Sequence, residues 1–147
     1  VREDVPMDDY EIPLGVADIK RTGTELTVIT YGAMVHTCLD VAKTLSDEGA
    51  EIEVVDLRSL APLDKKTFLD SVAKTGKALV VHEAHLTSGF GGEVAAIITE
   101  EGWTSLDAPV KRIGSLDVPI PFSPVLEDAV LPSYKKILIT ARELLEY

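Results

Sequence analysis

The groups able to do chemistry crowd into one stretch, His82-Glu83-Ala84-His85-Leu-Thr-Ser-Gly89-Phe90-Gly91-Gly92. A shared metal is the first possibility. The zinc-protease pattern places two histidines four apart on one helix, with a glutamate after the first. Here the histidines are three apart and straddle a strand end, so that geometry is not met. General acid–base use of His82 or His85 is chemically open, because histidine titrates near neutrality. The glycines precede a helix, where unpaired backbone amides attract anions. They lack the lysine of the Walker pattern and the three spaced glycines of the dinucleotide fingerprint. A tight turn and close packing of strand on helix account for them more simply. We expect no catalytic, cofactor or metal ligands here. His82, Glu83, His85, Gly89, Phe90, Gly91 and Gly92 stand as loop or interface candidates.

The remaining polar residues give weaker signals. Asp56 and Arg58 leave a strand and are expected to pair with each other or with a neighbouring loop. Glu100, Glu101 and Asp107 read as a solvated face. Cys38 falls on the apolar stripe of a helix, which predicts a packed core thiol rather than a reactive one.

The elements that position these residues follow from hydrophobic periodicity. Residues 78–81 form a short β-branched apolar run, as a strand buried on both faces would. Residues 94–98 then repeat at helical spacing. Upstream, 16–20 and 25–30 read as strands joined through Gly23, which predicts a hairpin with the first strand antiparallel to the second at one end of the sheet. Residues 33–48 read as a helix ended by Gly49. A strand at 52–57 leads to a helix capped by Asp64 and ended by Gly76. After Pro109 comes a strand at 110–113, then a loop rich in proline, then a short helix or turn at 126–130. Pro132 fits the first turn of the last helix, whose inner face is Tyr134, Ile137, Leu138, Ala141, Leu144 and Leu145. Strands alternating with helices predict a three-layer α/β/α domain. Its sheet is five-stranded and mostly parallel with one antiparallel strand.

Length and composition fit one domain. The chain has 147 residues, of which 46% are apolar. Residues 1–13 are acidic and broken by Pro6 and Pro13, so we expect an N-terminal arm or linker and a domain over 14–147. The chain opens on Val1 without an initiating Met, which suggests a fragment of a longer subunit. No apolar run is long enough for a membrane span. One cysteine gives no internal disulfide framework. A net charge of −11 argues against nucleic acid and is compatible with a basic protein partner.

Several segments together resemble a known family. They are Ile12-Pro-Leu-Gly15, Val28-Ile-Thr-Tyr31-Gly32, Val54-Val-Asp56-Leu-Arg58-Ser-Leu-Ala-Pro62-Leu-Asp64, Val80-Val-His82-Glu83-Ala84, Gly89-Phe-Gly91, Ala108-Pro109-Val-Lys-Arg112, Pro119-Ile-Pro121-Phe122 and Leu131-Pro132. In these, residues 11–147 resemble the C-terminal domain of the β subunit of thiamine-diphosphate-dependent 2-oxoacid dehydrogenase E1 components, of the pyruvate or branched-chain type.

The resemblance implies that the whole enzyme oxidatively decarboxylates a 2-oxoacid on thiamine diphosphate and passes the acyl group to a lipoyl arm. It also implies that the cofactor and its magnesium are held outside this domain, by the α subunit and by the missing N-terminal half of the β subunit. The implied partners are the E1 α subunit, a second β subunit and the basic subunit-binding domain of a lipoyl acyltransferase. Charge and expected exposure pick out Glu127, Asp128, Glu146 and Tyr147 as docking candidates. The implied compartment is bacterial cytoplasm or mitochondrial matrix. Two alternatives stand beside this reading. One is the matching domain of a transketolase or deoxyxylulose-phosphate synthase. The other is a free-standing anion- or nucleotide-binding α/β domain using Gly89 to Gly92.

Overall fold

The computed structural model describes residues 7–147. Of the expected arm, residues 1–6 lie outside the described residues, and 7–13 are exposed without helix or strand. The elements are β1 (Asp18–Arg21), β2 (Leu26–Thr30), α1 (Met34–Asp47), β3 (Ile52–Asp56), α2 (Lys65–Thr75), β4 (Ala78–His85), α3 (Phe90–Glu101), β5 (Lys111–Ser115), α4 (Pro124–Val130) and α5 (Tyr134–Leu145). The five strands lie in the order β1-β3-β2-β4-β5, and only the β1–β3 pair is antiparallel. Among the described residues no helix is long and apolar enough to cross a membrane.

Two cores cover the sheet. On one face α1 and α5 bring Cys38, Val41, Leu45, Ile137 and Leu144 onto Val28, Val54 and Leu79. On the other, α2 and α3 bring Phe68, Val72, Val94 and Ile98 onto Ile29, Val55 and Val80. Alternate residues of one strand thus feed opposite cores, as a strand's period of two requires. β2 is buried along its whole length, which suits its central place.

The expected hairpin does not form. β1 pairs with β3, Ile19 lying opposite Val55, and the chain then passes across the amino end of β3 to reach β2. The amides of Thr24 and Glu25 donate to the Glu51 carbonyl at 2.9 and 3.0 Å on the way. Gly23 is a crossing residue, since a Cβ there would meet the Ile52 carbonyl carbon at 2.2 Å. β2 gives one edge to β3 and the other to β4, so neither is left for β1. The half-exposed Asp18–Arg21 suits an outer edge.

Local signals place the helices. Asp64 accepts from the Thr67 amide at 3.1 Å and from the Ala17 amide at 3.0 Å, so the cap of α2 also ties down the entry to β1. Gly76 ends α2 in the left-handed region, at φ 70°. Ser133 caps α5 by accepting from the Lys136 amide. Pro132 therefore precedes the cap and is not in the first turn. Of the expected inner face of α5, Ile137, Ala141 and Leu144 are buried, whereas Tyr134 stays exposed and bonds Thr44 Oγ1 at 2.7 Å.

Candidate functional site

In open α/β sheets, ligands sit at the carboxyl ends of neighbouring strands whose connections leave in opposite directions. That place is between β2 and β4. From β2 the chain runs through α1 to β3; from β4 it runs through α3 to β5 on the other side. The residues found there are Tyr31 and Gly32 after β2, and the histidine–glycine stretch after β4.

β4 is longer than its apolar run suggests, because it continues through a bulge. Val81 lies opposite Ile113 and His85 opposite Ser115. Three residues, His82 to Ala84, therefore stand against the single Gly114. Bulges re-aim side chains, and this one sends the His82 ring under α3. The ring is completely buried. It is stacked on Tyr31 with centroids 6.2 Å apart and planes 6° from parallel. Phe90 meets Tyr31 edge-on, with centroids 6.3 Å apart.

Three glycines make room for the ring. A Cβ would lie 2.9 Å from His82 Cε1 at Gly89, 2.1 Å from Nε2 at Gly91 and 3.0 Å from Cε1 at Gly114. Neither ring nitrogen has a hydrogen-bond partner among the described residues. Burial holds the His82 pKa below the ordinary histidine value against the pull of the Ala84 backbone, and the Arg112 guanidinium pushes the same way as burial. His82 is thus a neutral ring filling the crevice. Burial, helped by the Glu83 charge, raises the Tyr31 phenol.

His85 is turned elsewhere and shares nothing with His82. Its Nε2 bonds the Val118 carbonyl at 3.0 Å. Thr87 donates to Asp117 through its amide at 3.1 Å and its hydroxyl at 2.6 Å. These bonds fasten the loop after β4 to a strap, residues 116–123. The strap exposes Leu116, Val118, Ile120 and Phe122. Arg112 braces the same loop by donating to the Leu86 carbonyl at 3.0 Å.

The structure therefore brings His82, Gly89, Phe90 and Gly91 into one cluster, with Glu83 at its rim. The Gly89–Gly92 amides do not form an open anion cradle. Gly89 packs against the His85 carbonyl and His82, Gly91 packs against His82, and Glu93 adds negative charge in the first turn of α3. Gly92 instead faces a groove of about 840 Å³ along α3 and β5, lined also by Ala95, Trp103, Pro109 and Arg112.

The docking candidates are not gathered together. Glu127 and Asp128 lie on α4, whose end meets β5's exit where the Leu116 amide donates to the Val130 carbonyl. Glu146 and Tyr147 follow α5, whose end meets Lys77 at the entry to β4. The two pairs stand at opposite ends of the sheet.

Sequence reasoning missed Tyr31, Gly114, Arg112 and Asp117. Gly114, inside a short strand, was the available hint, because glycine in a strand marks a bulge or a close approach.

Asp56 and Arg58 behave as expected. The Arg58 amide donates to Asp56 Oδ1 at 3.0 Å, and its guanidinium reaches Asp18 at 2.6 Å. Of the three acidic residues read as a solvated face, Glu101 pairs with Lys65 at 2.9 Å.

Comparison with known proteins sharpens this picture. Residues 15–137 match the family described as the transketolase C-terminal domain. The β subunit of the Bacillus subtilis pyruvate dehydrogenase E1 component is 48% identical over 146 residues, 99% of this chain and 45% of that protein. Two further B. subtilis proteins are similar. The β subunit of acetoin:2,6-dichlorophenolindophenol oxidoreductase is 44% identical, over 99% of this chain and 42% of its own length. The β subunit of 2-oxoisovalerate dehydrogenase is 43% identical, over 100% and 45%. The chain thus spans less than half the length of these relatives. A solved split-gene transketolase, described as an inactive β4 tetramer, superposes with a TM-score of 0.80 at 26% identity, over 98% of this chain and 46% of that one.

Proposed function

The chain belongs to the transketolase C-terminal domain family, and from that membership we propose that it is the assembly and partner-docking domain of a 2-oxoacid dehydrogenase E1 β subunit. The whole enzyme would decarboxylate a 2-oxoacid on thiamine diphosphate and hand the acyl group to a lipoyl acyltransferase. The cofactor supplies the carbanion chemistry. This domain supplies the surfaces that hold subunits together.

The observation that carries the reading is a filled crevice beside a bare strap. The place where a doubly wound sheet would take a ligand is occupied by Tyr31, His82 and Phe90. Phe122, by contrast, is fully exposed, and Val125, three residues further along the chain, is 78% exposed. Contiguous exposed apolar surface marks an interaction site.

The residues here do not fit thiamine diphosphate. The amino end of α3 has no room beside His82 and carries Glu93. We therefore assign the cofactor and its magnesium to the α subunit and to the N-terminal half of the β subunit. A transketolase role is the second reading, favoured by the split-gene transketolase among the structural neighbours.

The acidic surface is assigned to a basic docking domain. The exposed Glu146 and Tyr147, or Glu127 and Asp128, would meet it, but not all four together. The test is calorimetric titration of the reconstituted α–β enzyme with the subunit-binding domain of its acyltransferase, at low and moderate salt. Binding that weakens with salt supports the reading. No binding at either salt, or a rise in the melting temperature of this chain alone with thiamine diphosphate, contradicts it.

A further inference from the structure

His82 is an unusual occupant of a closed crevice, because a hydrocarbon ring would fill the space without leaving two polar atoms unpaired. Both nitrogens are buried without a partner. An unsatisfied neutral group is tolerable at a cost, but a charged one is far less so. The charged or titratable groups around the ring are few. Tyr31 stacks on it from β2, Arg112 acts on it from β5, and Glu83 follows it in β4. From α3 it meets Gly89 and Gly91, with Glu93 in the same turn.

We infer that His82 is an acid-sensitive latch on the loop of residues 86–92. Neutral, the ring seats that loop by packing against Gly89 and Gly91. Protonated, it finds only the Ala84 backbone to favour the charge, against burial and a guanidinium nearby, so it leaves and the loop opens. The strap is released with the loop, because Thr87–Asp117 and His85–Val118 are the bonds that join them. Bonds from Thr87 hold the Asp117 carboxyl below its usual range.

The sign follows from proton uptake on opening. The closed state is fully favoured above the ordinary histidine pKa of ~6.5 and loses ground as the pH falls below it. The open-to-closed ratio should rise about tenfold per pH unit below that value, until the closed state itself takes up the proton. Carboxylates become protonated lower, so the interval between about pH 6.5 and pH 5 lies above their range, and the His82 variants below separate this ring from other imidazoles.

The experiment is amide hydrogen exchange of this chain across that interval, corrected for intrinsic rates. Protection at residues 86–92 should fall about tenfold per pH unit, while protection in α5 stays constant. In His82→Gln and His82→Phe the loop protection should not change with pH. If both variants fail to fold, the wild-type His82 ring resonance must titrate in step with the loss of loop protection. Loop protection that is flat with pH, or that falls together with α5, overturns the inference. So does a His82 resonance that titrates while the loop stays closed.

Discussion

A Cβ on Gly91 would stand 2.1 Å from Nε2 of His82, closer than any side chain can approach, although the two residues belong to a helix and a strand on either side of a loop. Alanine is the better helix former by up to ~1 kcal/mol. Here that gain is outweighed, because the ring is backed by Tyr31 and has nowhere to go. Gly91→Ala should cost ~1–3 kcal/mol as an overpacked core site. In a His82→Ala background the same change should cost little. A double-mutant cycle by urea denaturation reads the coupling directly, and additive costs would refute the contact.

A second prediction concerns Glu53, whose carboxylate accepts from the Gly23 amide at 3.2 Å and pairs with Lys74. Burial alone would raise its pKa, but the bonds from Lys74, Ser71 and Gly23 win and hold it below the usual value. A carboxyl depressed in the folded state contributes stability above its unfolded pKa of ~4.3 and loses it as the pH falls. Stability measured from pH 6 to pH 3 should therefore drop less steeply in Glu53→Gln than in the wild type. Glu53→Ala should cost ~3 kcal/mol near neutrality, since it leaves the Gly23 amide unpaired and Lys74 without its partner.

Asp64 serves two elements at once, capping α2 through Thr67 and holding the Ala17 amide at the entry to β1. Loss of a helix cap alone costs ~1 kcal/mol. Asp64→Ala should exceed that by a further ~1 kcal/mol for the second bond. Asp64→Asn should recover part of the loss. Chemical denaturation of the three proteins measures the series.

The Cys38 thiol is pushed up to about 12 by burial among α1 residues. A thiol so placed is inert toward disulfide reagents. Labelling with a chromogenic disulfide at pH 8 should proceed at the rate of unfolding and accelerate in urea. Rapid labelling of the folded chain would contradict its place in the core.

Much of this fold is legible from the chain alone, and the rest is hidden for a physical reason. The five strands, the α2 cap at Asp64 and the stops at Gly49 and Gly76 depend on neighbours a few residues away, which periodicity and turn chemistry report. Strand pairing does not. Gly23 has the look of a turn glycine, yet its lack of a side chain matters because Ile52 passes beneath it. His82 and Gly91 could be singled out by type, whereas the role of Gly114 appears only when the β4 bulge sets it opposite His82. The resemblance of residues 11–147 to E1 β subunits fits the transketolase C-terminal match and the relatives at 43–48% identity.

The proposed role of this domain is to assemble subunits, with the exposed strap as part of its working surface. Phe122 is the residue to change, because it is fully exposed in the chain. Phe122→Glu should leave the stability of this chain within ~0.5 kcal/mol. Sedimentation velocity of the full-length β subunit mixed with its α subunit reads this assembly. The wild type should sediment as a larger α–β assembly, and Phe122→Glu should shift it to smaller species. Unchanged sedimentation of the variant, with the same assembly and the same concentration dependence, would contradict it.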